Sequence, residues 1–241
     1  MLEPFTVSPD NHDVADVVWN RYVALGDAIT EGLYDPAPRQ PGSPVDNWQG
    51  WAQRLAVILD GHAQLAGQRL EFANLAARGR RIRHVVDDQV PKATALRADL
   101  ASVLIGSGDL MAPRADPDSL AKQLESGIRA LRRNGTHVVL AGCFDPQFAF
   151  FLKPFRGRAA VFNANLWSIA RGTGCTVLDL WAMREFQHPA MWAADRINLS
   201  PRGHRFLAAR AAHALGVPYA ETESTSAHAV FRPAAPLPLH S

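Results

Sequence analysis

Cysteine is scarce: Cys143 and Cys175 are the only two in 241 residues. That excludes a disulfide framework and fits a reducing compartment. No run approaches the roughly 20 apolar residues needed to cross a bilayer. The opening MLEPFTVSPDNHD lacks the basic stretch and apolar core of a secretory signal. A cytoplasmic protein with no membrane partner is therefore expected. Neither sign of charge dominates, since 25 Lys and Arg against 23 Asp and Glu give a net charge of +2. So small an excess argues against a nucleic-acid partner. What is present is ordinary for a globular chain: 47% hydrophobic and 20% charged residues, enough to bury one large core without staples.

Short apolar runs alternate with helical spacing. Tyr22 to Leu25, Leu70 to Asn74, Ser102 to Ile105, His137 to Ala141 and Thr176 to Leu180 read as five strands. Each is apolar on both parities, as parallel strands buried on both faces are. Helices are expected over Trp48 to Leu59, Ile82 to Arg97, Ser119 to Arg133, Arg158 to Arg171 and Gly203 to Leu215. The alternation predicts an α/β doubly wound parallel sheet. Residues 1–18 read as an N-terminal extension, 19–220 as the domain, and 221–241 as a Pro-, Ala- and Ser-rich tail. Asp35 to Asn47 reads as a loop over one end of the sheet.

In an open parallel sheet ligands bind beyond the carboxyl ends of the strands. The strand exits are Gly26-Asp27-Ala28, Asn74 to Gly79, Gly106-Ser107-Gly108-Asp109 and Gly142-Cys143-Phe144-Asp145, with Asp195 to His204 before the last helix. In these segments ALGDAITEG resembles the first motif of the SGNH/GDSL hydrolases, an esterase and lipase family, and NLAARG resembles the second, ending in the oxyanion-hole glycine, Gly79. LIGSGDL is similar to the third and DRINLSPRGH to the last, in the same order along the chain. The resemblance implies a three-layer α/β/α, flavodoxin-like fold around a parallel five-stranded sheet.

The departures from that pattern bear on chemistry. The resemblance puts the family's nucleophilic serine at Ala28, its general-base histidine at Asn198 and its oxyanion asparagine at Gly108. A methyl group cannot attack a carbonyl, and an amide does not titrate near neutral pH. The acid Asp195, the backbone N–H of Ala28 and Gly79 remain. Catalysis that lacks triad members falls back on binding and the oxyanion hole.

Other residues offer rescue, each beside a plainer reading. Cys143 is a candidate nucleophile or a packed thiol. Ser107 is a nucleophile or a turn residue, and Ser200 a nucleophile or a helix cap. His204 reads as structural. Asp27, Asp109, Asp145 and Asp195 all follow strands. The first two belong to the family motifs and are expected to bond loop backbone, so no metal and no cofactor is expected. Asp195 can act as a base if burial raises its pKa. Arg78, Arg80, Arg81 and Arg83 with His84 form either a solvated basic face or an anion-recognition site. Trp48, Trp51, Trp167, Trp181 and Trp192 read mostly as core, with Trp192 placed to wall the pocket.

The expected ligand-binding set is Asp27, Ala28, Gly79, Gly108, Asp109, Asn198 and Trp192. The leading expectation is a family-like domain without serine-esterase chemistry that binds a small acyl- or carbonyl-containing, or anionic, ligand or a protein partner in the old crevice. The alternatives are a repurposed isomerase, cyclase or lyase using Asp195, Asn198 and the oxyanion-hole backbone, or an esterase or acyltransferase with a different nucleophile. Abundant Ala and Arg suggest a GC-rich, actinobacterial genome, where biosynthetic pathways would be a natural home.

Overall fold

The structure, a computed structural model, describes residues 17–38 and 48–217. The tail, most of the N-terminal extension and most of the proline-rich loop lie outside the described residues. Strands β1 (Arg21–Gly26), β2 (Glu71–Asn74), β3 (Leu100–Leu104), β4 (His137–Ala141) and β5 (Thr176–Leu178) form one parallel sheet in the order β2-β1-β3-β4-β5. All residues of β3 are buried and only the first residue of β1 and of β4 is not, whereas the edge strands β2 and β5 are partly open. The unbroken apolar runs have this origin, because helices cover both faces.

Successive residues of β1 feed opposite cores. Tyr22 and Ala24 pack with Trp51, Leu55, Leu207 and Ala211 from helices α2 (Gly50–Leu65) and α8 (Pro201–Ala214). Val23 and Leu25 pack on the other face with Leu124 and Ile128 of α6 (Pro117–Arg133) and with Phe162 and Leu166 of α7 (Arg156–Thr173). Local signals set the helix ends. Asp116 accepts from Asp118 N–H before Pro117, Gly174 closes α7 in the left-handed conformation, and Ser200 accepts from Gly203 N–H before Pro201.

The expected single helix over Ile82 to Arg97 is instead three pieces. These are α3 (Ile82–His84), a π-helical turn (Val85–Gln89) and α4 (Val90–Ala95). Pro91 explains the break: it has no N–H to donate to the carbonyl one turn back. The wider turn directs Gln89 to β1, where its amide clamps both polar groups of Gly26 (Gly26 N–H to Oε1 2.8 Å; Nε2–H to Gly26 O 3.0 Å). The short helices α1 (Ala28–Glu31) and α5 (Ser107–Leu110), which follow β1 and β3, carried no periodic signal. Trp51 and Trp192 are buried, but Trp167 is 41% exposed on α7, so its assignment to the core is corrected. Among the described residues no helix is long and apolar enough to cross a membrane.

Candidate active-site cavity

A cavity of about 220 Å³ opens at the carboxyl end of the sheet, beside the point where β1 and β3 part. The sheet order reverses there, and the strand exits leave a crevice. The exits of β1, β2 and β3 supply Asp27, Ala28, Gly79, Arg81, Ser107 and Gly108. Apolar walls come from Phe148, Leu152 and Phe155 between β4 and α7, and from Trp192 and Ile197 before α8. Trp192 stacks on Phe148 (centroids 3.9 Å apart, planes at 7°) and donates its indole N–H to Phe186 O at 2.7 Å. Those contacts fix the wall's orientation.

Gly26 makes the first turn sterically permissible. Its φ is +154°, and a Cβ there would collide with Leu104 O on the neighbouring strand. The chain then turns into α1, with Asp27 accepting from Ile29 N–H at 3.1 Å. Burial, relieved in part by that hydrogen bond, raises the Asp27 pKa from 3.8 to about 6, and Asp109 adds repulsion. Burial also raises Asp109, whose carboxylate accepts from Ile82 N–H at 3.3 Å. Both motif aspartates thus accept from the first turn of a helix rather than from a loop.

Asn198 lines the cavity and donates its side-chain N–H to Asp195 Oδ2 at 2.7 Å. Asp195 Oδ1 also accepts the backbone N–H groups of Ile197 (2.9 Å) and Asn198 (3.0 Å). Burial pushes the Asp195 carboxyl up, but these three donors outweigh it and hold the group below its ordinary value. The expectation that desolvation equips Asp195 as a base is therefore corrected: its lone pairs are committed to N–H groups.

Cys143 lies in the cavity wall but is buried, and burial pushes its thiol up to about 12. It receives a weak hydrogen bond from Ser107 Oγ at 3.6 Å. Ser200 lies outside the cavity wall and caps α8, its hydroxyl donating to Ala190 O at 2.6 Å. Asp145 is drawn away into a bidentate pair with Arg156 (2.7 and 3.0 Å). Buried His204 accepts Trp51 N–H and bonds Leu33 O, both at 3.2 Å, joining α8 to α2. Among the described residues no group of three His, Cys, Asp or Glu side chains is arranged to hold a metal.

The arginine run divides. Arg78 pairs with Glu31 at 3.1 Å, Arg83 is exposed, and Arg80 and Arg81 line the cavity. Two positioning residues left no trace in the sequence reading. One is Gln89. The other is Asn163 of α7, which clamps Cys143 at both its N–H (2.7 Å) and its carbonyl (3.0 Å). An amide on a helix has no sequence signature for such a task; only the fold brings it to a strand exit.

Comparison with known proteins agrees with this architecture. The sequence profile of the GDSL-like lipase/acylhydrolase family matches residues 24–206, so the chain belongs to that family. No curated protein matches the sequence significantly. Among solved structures, LAE5, an alpha/beta hydrolase enzyme from the metagenome of Lake Arreo, Spain, superposes with a TM-score of 0.67 at 23% identity, covering 82% of this chain and 95% of that one. A catalytic mutant of Axe2, an acetylxylan esterase from Geobacillus stearothermophilus with serine replaced by alanine, gives 0.68 at 21%, covering 83% and 95%. Two further catalytic mutants of Axe2 have alanine for an aspartate and for a histidine three positions later. TesA gives 0.62 at 18% identity, covering 81% and 98%.

Proposed function

We propose that this chain is a non-hydrolytic member of the GDSL-like family that binds a small acyl- or carbonyl-containing molecule in the cavity. One observation carries the reading: Ala28 and Asn198, which the family resemblance puts at the nucleophile and base positions, face the same cavity, and among the described residues that line it no activated nucleophile stands in for them. Cys143 is held as a neutral thiol, Ser107 spends its proton on that sulfur, and among the described residues no histidine lines the cavity. The Axe2 mutants support the assignment of positions. Their aspartate and histidine share the spacing of Asp195 and Asn198, and their alanine stands where an esterase has serine.

A second reading is favoured by Asp27, whose pKa of about 6 suits proton transfer near neutral pH. On it the cavity performs an isomerisation or elimination, with Asp27 rather than Asp195 as the base. Asp27→Asn would then abolish turnover of the substrate while leaving its binding intact.

Hydrolysis of short-chain p-nitrophenyl esters tests the leading reading. The native chain is expected to match the uncatalysed rate. A chain carrying Ala28→Ser, Asn198→His, Gly108→Asn and Arg81→Leu is expected to exceed it. Native turnover that disappears on Cys143→Ala or Ser107→Ala would overturn the proposal.

A further inference from the structure

We propose that Arg81 is the anion-recognition residue of this cavity and that the occupant is a carboxylate on an apolar body. The inference rests on the binding reading above and names the ligand class. Arg81 leads into α3 from an extended conformation (φ −125°, ψ 167°), with its backbone N–H on His84 Nδ1 at 2.9 Å. Its guanidinium lies across Gly108: a Cβ at 108 would stand 2.9 Å from Nη1 and 3.4 Å from Cζ. The space for the family's oxyanion asparagine is therefore filled by a cation reaching in from the neighbouring strand exit. Glycine at 108 is the residue that admits it.

Arg81 Nη1 is fully buried and has no hydrogen-bond partner. Arg81 also borders an outer groove with Arg83 and Asp116, but Gly108, beneath Nη1, lines only the inner cavity. A buried guanidinium N–H without an acceptor is costly, and an anion seated beside it removes the penalty. Asp27 and Asp109 lie close enough to Arg81 to feel its charge, but they accept from Ile29 and Ile82 N–H, and among the described residues neither hydrogen-bonds to Nη1.

An oxyanion exists in a hydrolase only while a nucleophile is attached to the carbonyl carbon. With alanine at 28 that species never forms, so a fixed positive charge at this place is matched by an anion already present in the ligand. The guanidinium fork fits a carboxylate in two parallel hydrogen bonds. The rest of the wall, Leu110, Met111, Phe148, Leu152 and Phe155, asks for hydrocarbon. A cavity of about 150 Å³ is known to hold benzene. The 220 Å³ here therefore suits an arylacetate or a medium-chain fatty acid.

The test is calorimetric titration of the full chain with phenylacetate and octanoate, their neutral amides, and phenyl phosphate. At least one acid is expected to bind about tenfold or more tightly than its amide, by the margin a charge-assisted hydrogen bond supplies. Arg81→Met should abolish that preference. Gly108→Asn should abolish it as well, by displacing the guanidinium, with thermal melts establishing that each variant is folded. Equal affinity for acid and amide, or an acid preference that survives Arg81→Met, would overturn the inference while leaving the binding reading in place. Phenyl phosphate binding more tightly than either acid would overturn the carboxylate assignment. Binding of none of the five probes would count against both proposals.

Discussion

Asp27 makes stability depend on pH in a direction opposite to that of most carboxylates. Its pKa rises from 3.8 to about 6 on folding, with burial the largest cause. At 1.36 kcal/mol per unit, that shift corresponds to about 3 kcal/mol of penalty on the ionised form. Asp27 is partly open to the cavity, and solvent screening reduces the figure to about 1–2 kcal/mol. The sign follows from proton binding. Between the two pKa values the folded state holds more protons than the unfolded, so stability falls as pH rises through the window from about 4 to 6. The penalty is complete above that window and absent below it. Asp27→Asn keeps an oxygen for the Ile29 N–H and removes the ionisation. The variant should be more stable than the native chain by about 1–2 kcal/mol at pH 7.5, and about a third to a half of the gain should vanish by pH 4.5. Urea unfolding of both chains at pH 4.5, 5.5, 6.5 and 7.5 measures the difference directly. A difference that stays flat across this range, or a less stable variant at pH 7.5, would refute the account.

Two further predictions concern groups that hold the site. Gln89→Ala strands the N–H and carbonyl of Gly26 inside the fold, which should cost about 2–4 kcal/mol and lower the melting temperature by at least about 4 °C. A smaller drop would show that the clamp is replaceable by water. Cys143, whose thiol is pushed up to about 12, should remain unalkylated by iodoacetamide at pH 8 in the native protein and react once urea is added. Rapid native labelling, read by peptide mass, would restore it as a candidate nucleophile.

The sheet was legible because burial on both faces writes itself as uninterrupted apolar runs. Strand β4 matches its expected bounds, and β1, β2, β3 and β5 differ from theirs by one or two residues at an end. The strand exits were legible for the same reason, since they follow the runs. The break at Val85–Gln89 was not, because the apolar spacing continues through it and the proline's effect falls on the residues before it. Distances across the sheet were equally hidden. Arg81 read as one member of a basic run, with nothing to show that Arg78 turns to Glu31 while Arg81 turns to Gly108. The segment FDPQFAFFLKPF contained the cavity's apolar wall, but its aromatics fit no helical or strand period.

The catalytic positions of this fold are separable from what holds them. Gly26 is fixed by Gln89, α1 by the Asp27 cap, and the last loop by Asp195 binding two backbone N–H groups and by the bridge between Trp192 and Leu199. None of these contacts uses the side chain at 28, and the Asn198 side chain adds one donor to Asp195 beside its own backbone N–H. On the proposed reading, replacing serine and histidine at those positions removes reactivity without loosening the scaffold. Position 108 differs. A side chain there and the Arg81 guanidinium compete for the same volume, so asparagine at 108 requires the guanidinium to shift. On the same reading, the difference at 108 is coupled to Arg81 in a way that those at 28 and 198 are not. A variant with Ala28→Ser, Asn198→His and Gly108→Asn that retains Arg81 should hydrolyse esters more slowly than one that also carries Arg81→Leu. Equal rates in the two would show that the guanidinium moves aside at little cost, and the coupling argument would fail.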